Sequence, residues 1–321
     1  MGPRNFFPWI HEQGYVPEHI YISAQSHLLI DIKNILYQLA STVPTTDPDF
    51  NQTVATLVLD KFAPFKFVLL VNDGKITESH PKYEECCKRG RVKEKLQEAV
   101  KRQKTQEFGL VQVTSEQEDD DDNKSHEEEE VRFNSYRFAS KLERQARAAR
   151  GMSFEASVSI LELVKAQQKG NISVLQCDTE ADQQIMMLAP QFDFTVSRDA
   201  DLLLGGGRRQ IVAFGTPQQA VYNIERICAV LGLTLVQLQE IVSMSGNDYT
   251  QGGIRGMGLK KAYGLIQKYG SCKRMLRKWT KLEQKQFIVP ANFLEQLQTS
   301  VAMYSGADWE GSMDKSKNVV T

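Results

Sequence analysis

ISVLQCDTEADQQIMMLAPQFDFTVSRDAD, residues 172–201, repeats one pattern twice: a short apolar run, then acids at alternate positions. The runs at 172–175 and 194–197 are too brief for helices and rich in Ile, Val, Leu and Phe, so they read as strands buried on both faces. The first leads into Asp178-Thr-Glu180-Ala-Asp182 and the second into Asp199-Ala-Asp201. Working outward, similar runs occur at 27–32, where LLID ends in Asp31, at 65–71, where VLLVND ends in Asp73, and at 211–214. Segments with helical periodicity, 32–40 and 154–168 among them, lie between the runs. This β-α-β-α order predicts an α/β fold with a mostly parallel central sheet flanked by helices.

In an open parallel sheet, ligands bind in the crevice outside the carboxyl ends of the strands, so the acids should converge there although they are far apart in the chain. Crowded carboxylates raise one another's pKa, which a protein tolerates when cations neutralise them. Oxygen ligands without His or Cys select Mg²⁺ or Mn²⁺ over zinc. Two such ions about 3.5–4 Å apart would hold the attacking water and the leaving oxygen of a phosphodiester. The bland alternative is helix capping, since Asp after a strand also caps the following helix. Capping explains a single Asp well and two acid-x-acid pairs poorly.

The 321 residues are 41% hydrophobic and 25% charged, enough for one large core and a small second domain. The net charge of −1 gives no bulk attraction to an anionic partner, but the charges are unevenly placed. Residues 82–104 are basic and 116–130 strongly acidic. Like charges at that density repel, so about 105–133 is expected to be a disordered or mobile insertion. Arg137, Lys141, Arg144, Arg147 and Arg150 then recur at helical spacing on one stripe, which is either a binding face or a solvated one. Residues 227–244 and 260–269 read as helices around a glycine-rich turn at 246–258. Gly205-Gly206-Gly207-Arg208-Arg209 lacks the Lys-Ser/Thr of a phosphate loop and reads as a turn. The five cysteines are odd in number and lack CxxC spacing, so neither a disulfide framework nor a zinc site is signalled. A reducing compartment, nucleus or cytoplasm, is the expected location. No early secretory run and no stretch of about 18 apolar residues is present, which predicts a soluble chain without a membrane partner. Phe6 stands where a myristoylation motif requires Ser or Thr.

The segments CDTEADQQI, VSRDADLLLGG and SGNDYTQGGIRGMGLKKAYGLIQKYGS together resemble, in order and spacing, the internal region of the XPG/flap-endonuclease superfamily of structure-specific 5′ nucleases. Gly246, Asp248, Tyr249, Ile254, Gly256, Gly258 and Ala262 occupy the family's Gly-x-Asp-Tyr and I-x-G-I-G-x-x-x-A places, with Asn247 and Met257 as variants. Met1-Gly2, Asp31 with Tyr37 six residues on, and Asp73-Gly74 match the first nuclease region. The resemblance covers most of residues 1–300 outside the acidic insertion. It implies a PIN-like nuclease core at 1–235, interrupted by a basic helical arch at 75–150, then a duplex-binding helix-two-turn-helix at 236–300 and a fraying tail at 301–321.

The resemblance also implies roles. Asp31, Asp73, Glu180 and Asp182 would form one metal group and Asp199, Asp201 and Asp248 another, for two Mg²⁺ or Mn²⁺ ions. Retention of all seven acids favours catalysis. Lys82 and Arg89, seven residues apart on one helix face, would steer and polarise the scissile phosphate. Two extra residues intervene after Asp73, and Lys88 is an equally near basic candidate. Tyr37 would stack on a base, or else be a core tyrosine. Gly256, Gly258, Lys260, Lys261 and Lys268 would hold the duplex, with a bound potassium ion. Gly2, Arg137, Lys141 and Arg144 would add contacts to nucleic acid. The expected partner of a monomeric protein is DNA with a single/double-strand junction, or RNA. There is no sliding-clamp motif or long basic tail of the replicative type. Two alternatives stay open: an endoribonuclease of the viral host-shutoff type, which the Asp31, Asn34, Tyr37 spacing also resembles, and a non-catalytic nucleic-acid-binding scaffold.

Overall fold

In β2 (His27–Asp31), Leu28 and Ile30 enter one hydrophobic cluster and Leu29 enters another, and none of the three is exposed. β3 (Phe67–Asn72) alternates likewise, with Val68 and Leu70 on one side and Leu69 and Val71 on the other. Both faces of the sheet are therefore covered, which is why these strands read as continuous apolar runs. Each fully buried Leu or Ile contributes about 1.5–3 kcal/mol, and a one-residue slip would exchange the two sets, so this alternation fixes the register.

The computed structural model describes residues 5–44, 47–75, 91, 98, 153–167, 170–215, 218–247, 249–250, 252–279 and 286–305. Gly2, Lys82, Arg89, Arg137, Lys141, Arg144, Asp248 and the acidic insertion lie outside these residues. The other strands are β1 (Glu18–Ile20), β4 (Ile172–Gln176), β5 (Phe194–Val196), β6 (Arg209–Ile211) and β7 (Gln219–Asn223). They form one sheet in the order β1-β7-β6-β5-β2-β3-β4. The run from β6 to β4 is parallel, while β7 is antiparallel to both β6 and β1. Ile30 pairs with Val196, Asp31 with Val71, and Asn72 with Gln176. These registers align the carboxyl ends of β5, β2, β3 and β4, so the loops starting at Ser197, Asp73 and Cys177 leave from one edge.

The helices are α1 (Phe6–Glu12), α2 (Ile32–Ala40), α3 (Phe50–Phe62), α4 (Phe154–Gln167), α5 (Ala181–Leu188), α6 (Ala200–Leu204), α7 (Ile224–Leu231), α8 (Leu235–Ser245), α9 (Leu259–Tyr269), α10 (Cys272–Lys278) and α11 (Phe293–Ser305). Leu36, Val58 and Ile160, from α2, α3 and α4, pack on the Leu28–Ile30 side. The opposite side packs against Ile185 of α5, and the same cluster runs on through Ile241, Ile266 and Phe293. The C-terminal helices thus share one core with the sheet.

Several boundaries differ from expectation. The strand expected at 211–214 is 209–211, because Gln210, polar and fully buried, is held there by its Nε2 donating to the carbonyls of Ser197 and Asp199. β1 and β7 were not anticipated, being a three-residue polar edge and a mixed one. The single helix expected over 227–244 is two helices bent by 83°: Gly232 takes a left-handed conformation with φ 63° and Thr234 starts α8 with a capping box. Residues 301–305 do not fray but complete α11, anchored by buried Ser300 and Tyr304.

Two glycine contacts shape the site's surroundings. At Gly253 (φ 65°), a Cβ would fall 2.5 Å from the Gly246 nitrogen and the Met244 carbonyl oxygen, which closes the turn between α8 and α9. At Gly74 a Cβ would lie 2.2 Å from the backbone carbon of Asp178, so the loops after β3 and β4 touch only because this position lacks a side chain. Gly74→Ala is expected to lower the unfolding free energy by about 1–3 kcal/mol in urea titration, since backbone must move to admit the methyl group. An unchanged midpoint would mean that the two loops are not in contact.

Candidate metal centre

Asp31 ends β2 and occupies the N-cap position of α2, yet its side chain makes no capping bond. Its Oδ2 instead accepts from Ser197 Oγ at 2.7 Å and from Asn34 Nδ2 at 2.8 Å, and the residue is 8% exposed. Burial, then the nearby Asp182 carboxylate, push the Asp31 carboxyl up to about 7 against the Ser197 hydrogen bond, with Asp73 and Asp199 adding to the rise. Asp73, Asp182 and Asp199 therefore each lie within electrostatic reach of Asp31.

Asp73, Asp199 and Asp201 are each turned to donors of their own. Asp73 Oδ2 accepts from Lys33 Nζ at 2.6 Å and its Oδ1 from the Ala181 backbone N–H at 2.9 Å, which ties β3 to the start of α5. Burial opposes the Lys33 charge, but Asp73 outweighs it and holds the ammonium above its usual pKa, with Tyr37 and Asp31 adding. Glu180 is buried at the N-cap position of α5 without a capping bond. Asp199 does cap α6, accepting from the Asp201 N–H at 3.0 Å. Asp201 is fully buried and its Oδ1 accepts from the Tyr304 hydroxyl at 2.5 Å. Capping thus accounts for Asp199 in part, but not for Asp31 or Glu180. Among the described residues no three His, Cys, Asp or Glu side chains converge closely enough to hold one ion as they stand. Lys33 on Asp73 and Tyr304 on Asp201 set the direction of those two carboxylates. Cys177, buried beside this cluster, is pushed up to about 12 by burial and then by Asp73, Asp178 and Asp182, so it stays a thiol.

Of the residues assigned to nucleic acid, Tyr37, Gly256, Gly258, Lys260 and Lys261 are among the described residues. Tyr37 is 40% exposed, one helical turn past Lys33 on α2 and within its electrostatic reach, so it is no core tyrosine. Gly258 is the N-cap of α9, and Gly256 has φ 88° in the turn before it. Lys261 donates to the Gly256 carbonyl at 3.2 Å and lies over the Phe287 ring, while exposed Lys260 pairs with Glu12 at 3.3 Å. Lys33, Ser197, Gln210 and Tyr304 carry no comparable signal in the sequence; position directly after a strand was the one available clue, and it marks Ser197 alone.

No family model matches the chain. Over 156 residues it is 31% identical to flap endonuclease 1 of Sulfurisphaera tokodaii, covering 43% of this chain and 43% of that protein, so the match spans less than half of the relative's length. The fold is similar to the catalytic core of Rad2 in complex with a DNA substrate, with a TM-score of 0.57 at 15% identity over 95% of this chain and 86% of that one. It is also similar to the Holliday junction-resolving enzyme GEN1 in complex with product DNA and an Mg²⁺ ion, with a TM-score of 0.56 at 16% identity over 95% of this chain and 65% of that one. The chain is thus similar in sequence to a flap endonuclease over less than half of its length, and it shares the fold of the Rad2 catalytic core and of GEN1.

Proposed function

We propose that the protein hydrolyses DNA phosphodiesters near junctions between single and double strands, with two divalent ions held by the acid cluster. The observation that carries this function is the Asp31 carboxyl, buried among Asp182, Asp73 and Asp199 at the carboxyl ends of the sheet. Such crowding is stable when cations share the site, and an all-oxygen donor set suits Mg²⁺ or Mn²⁺. The DNA held by the Rad2 core, and the DNA and Mg²⁺ held by GEN1, support the same reading. Asp31, Asp73, Glu180 and Asp182 would hold one ion and Asp199, Asp201 and Asp248 the other. Bound there, the ions would activate a water and neutralise charge that develops on the phosphate.

The chain's own side chains set up this chemistry. Ser197 and Asn34 fix Asp31 with two hydrogen bonds, and Gln210 ties the backbone on both sides of Arg198 by donating to the Ser197 and Asp199 carbonyls. Lys33 Nζ holds Asp73 until an ion competes for that oxygen. The exposed Tyr37 ring offers a stacking surface for a base beside the acids. Lys82 and Arg89 would polarise the scissile phosphate, and Gly2, Arg137, Lys141 and Arg144 would add phosphate contacts. The turn at Gly256 and Gly258 opens the N-terminus of α9 to duplex phosphates, with Lys260 and Lys261 beside it.

Labelled 5′-flap DNA and structured RNA, each incubated with the protein in Mg²⁺ or Mn²⁺ and then in EDTA, test the function. The expected result is cleavage of the flap DNA close to its junction with metal and none in EDTA. Cleavage of RNA with DNA intact would make the protein a ribonuclease, and cleavage of neither would leave a binding scaffold. Asp31→Asn and Asp199→Asn should each reduce turnover about a hundredfold or more, because the charge that holds the ions is lost. DNA affinity should change little, since phosphate contacts elsewhere supply it.

The same carboxyl governs stability. Asp31 binds its proton more tightly in the folded protein than at the ordinary 3.8, so stability in EDTA should fall as pH rises from about 4 to about 7. Asp31→Asn removes that loss and should be more stable than wild type at pH 8 by about 1–4 kcal/mol in urea titration, with the difference gone near pH 4. A variant less stable than wild type at pH 8 would show that Asp31 does not suffer the repulsion assigned to it.

A further inference from the structure

Tyr304, three per cent exposed on α11, sits at the head of a polar network inside the core that the C-terminal helices share with the sheet. Its hydroxyl has one proton, donated to Asp201 Oδ1 at 2.5 Å, and accepts from Asn247 Nδ2 at 2.9 Å. The same amide nitrogen donates to Ser300 Oγ at 2.8 Å, and Ser300 meets Ser243 Oγ at 2.9 Å. Asn247 Oδ1 accepts from the backbone N–H groups of Tyr249 and Thr250 at 3.0 and 2.9 Å, so this one side chain pins the backbone on the far side of position 248 to its near side. Asp201, Ser243, Thr250 and Ser300 have no exposed surface. Apolar packing would serve stability at least as well as a buried network of this kind, and the residues it joins come from three separate parts of the chain. Through Tyr304 the network ends on the Asp201 carboxylate, and through Asn247 on the backbone at Tyr249 and Thr250.

We propose that Tyr304 is a positioning residue for the nuclease reaction: its hydroxyl, held by Asn247, fixes the plane of the Asp201 carboxylate and ties it to the backbone that Asn247 holds at Tyr249 and Thr250. The C-terminal helix thereby completes the second ion-binding group, and residues far from the strand ends become part of the active centre. The proposal rests on the function above, in which Asp201 and Asp248 share an ion. Tyr304 touches neither ion nor DNA and acts through Asp201 alone.

The test is Tyr304→Phe in the full chain, which keeps the ring and removes the hydroxyl. Mn²⁺ is titrated into the protein and the free ion followed by electron paramagnetic resonance, alongside kcat and KM on 5′-flap DNA. One of the two ions should bind about 10–100-fold more weakly in the variant, as expected for loss of a partner that orients a ligand, with the other ion unaffected. The kcat should fall by a similar factor at unchanged KM and recover in part at high Mn²⁺. A variant with wild-type Mn²⁺ affinity and kcat, whose melting temperature alone is lower, would overturn the proposal and leave Tyr304 a structural residue. Should Tyr304→Phe not fold, Asn247→Ser removes the donor to Tyr304 and leaves the phenol on Asp201. A smaller loss of ion affinity is expected there, and unchanged affinity would overturn the proposal equally. A wild-type protein that binds no Mn²⁺ and cuts no DNA would sink the nuclease function itself, whereas an active wild type with an unaffected variant sinks only the role of Tyr304.

Discussion

A carboxyl group buried beside three others is the constraint around which the molecule is arranged. Water would ordinarily disperse the charge of Asp31, and here burial withholds it while Asp182, Asp73 and Asp199 oppose ionisation. Each pKa unit of such a shift corresponds to about 1.4 kcal/mol, a sizeable fraction of the stability of an ordinary domain. The parallel sheet creates the crowding, because its registers bring the ends of β5, β2, β3 and β4 into line. Gly74 tightens it by letting the loops after β3 and β4 meet backbone to backbone.

The fold also limits the damage. Every described acid whose contacts are resolved is directed by a donor: Ser197 and Asn34 for Asp31, Lys33 and the Ala181 N–H for Asp73, the Asp201 N–H for Asp199, and Tyr304 for Asp201. Five of these six donors are neutral, and Lys33 is the one that carries charge. The donors arise from α2, the loop after β5, the starts of α5 and α6, and the final helix. The site is thus as much a product of the second hydrophobic cluster as of the sheet.

The fold and the site were unequally legible in the amino-acid sequence. β2, β3 and β4 stood out because strands covered on both faces need apolar residues at every position, and Asp31 and Asp73 stood out as the first acids after such runs. β6 was displaced because Gln210 is buried by virtue of two carbonyls that only the folded chain supplies. The break at Gly232 was hidden by apolar residues on both sides of it, which belong to two helices crossing one core. In the site, the acids could be read from their place after strands, and their partners could not. Ser197 lies 166 residues from Asp31, Lys33 lies 40 from Asp73, and Tyr304 lies 103 from Asp201, so no local pattern joins them. Tyr304 fell in a stretch whose polar, glycine-containing sequel suggested fraying, yet the helix that carries it is held by Ser300, Asn247 and Asp201.

Crystals grown with Mn²⁺ and measured at its absorption edge test the central claim most directly. Two anomalous peaks about 3.5–4 Å apart are expected beyond the carboxyl ends of β2–β5. One should be bounded by Asp31, Asp73, Glu180 and Asp182 and the other by Asp199, Asp201 and Asp248, with Lys33 moved off Asp73. No peak at that edge of the sheet, with Lys33 still bonded to Asp73 at saturating Mn²⁺, would contradict the account.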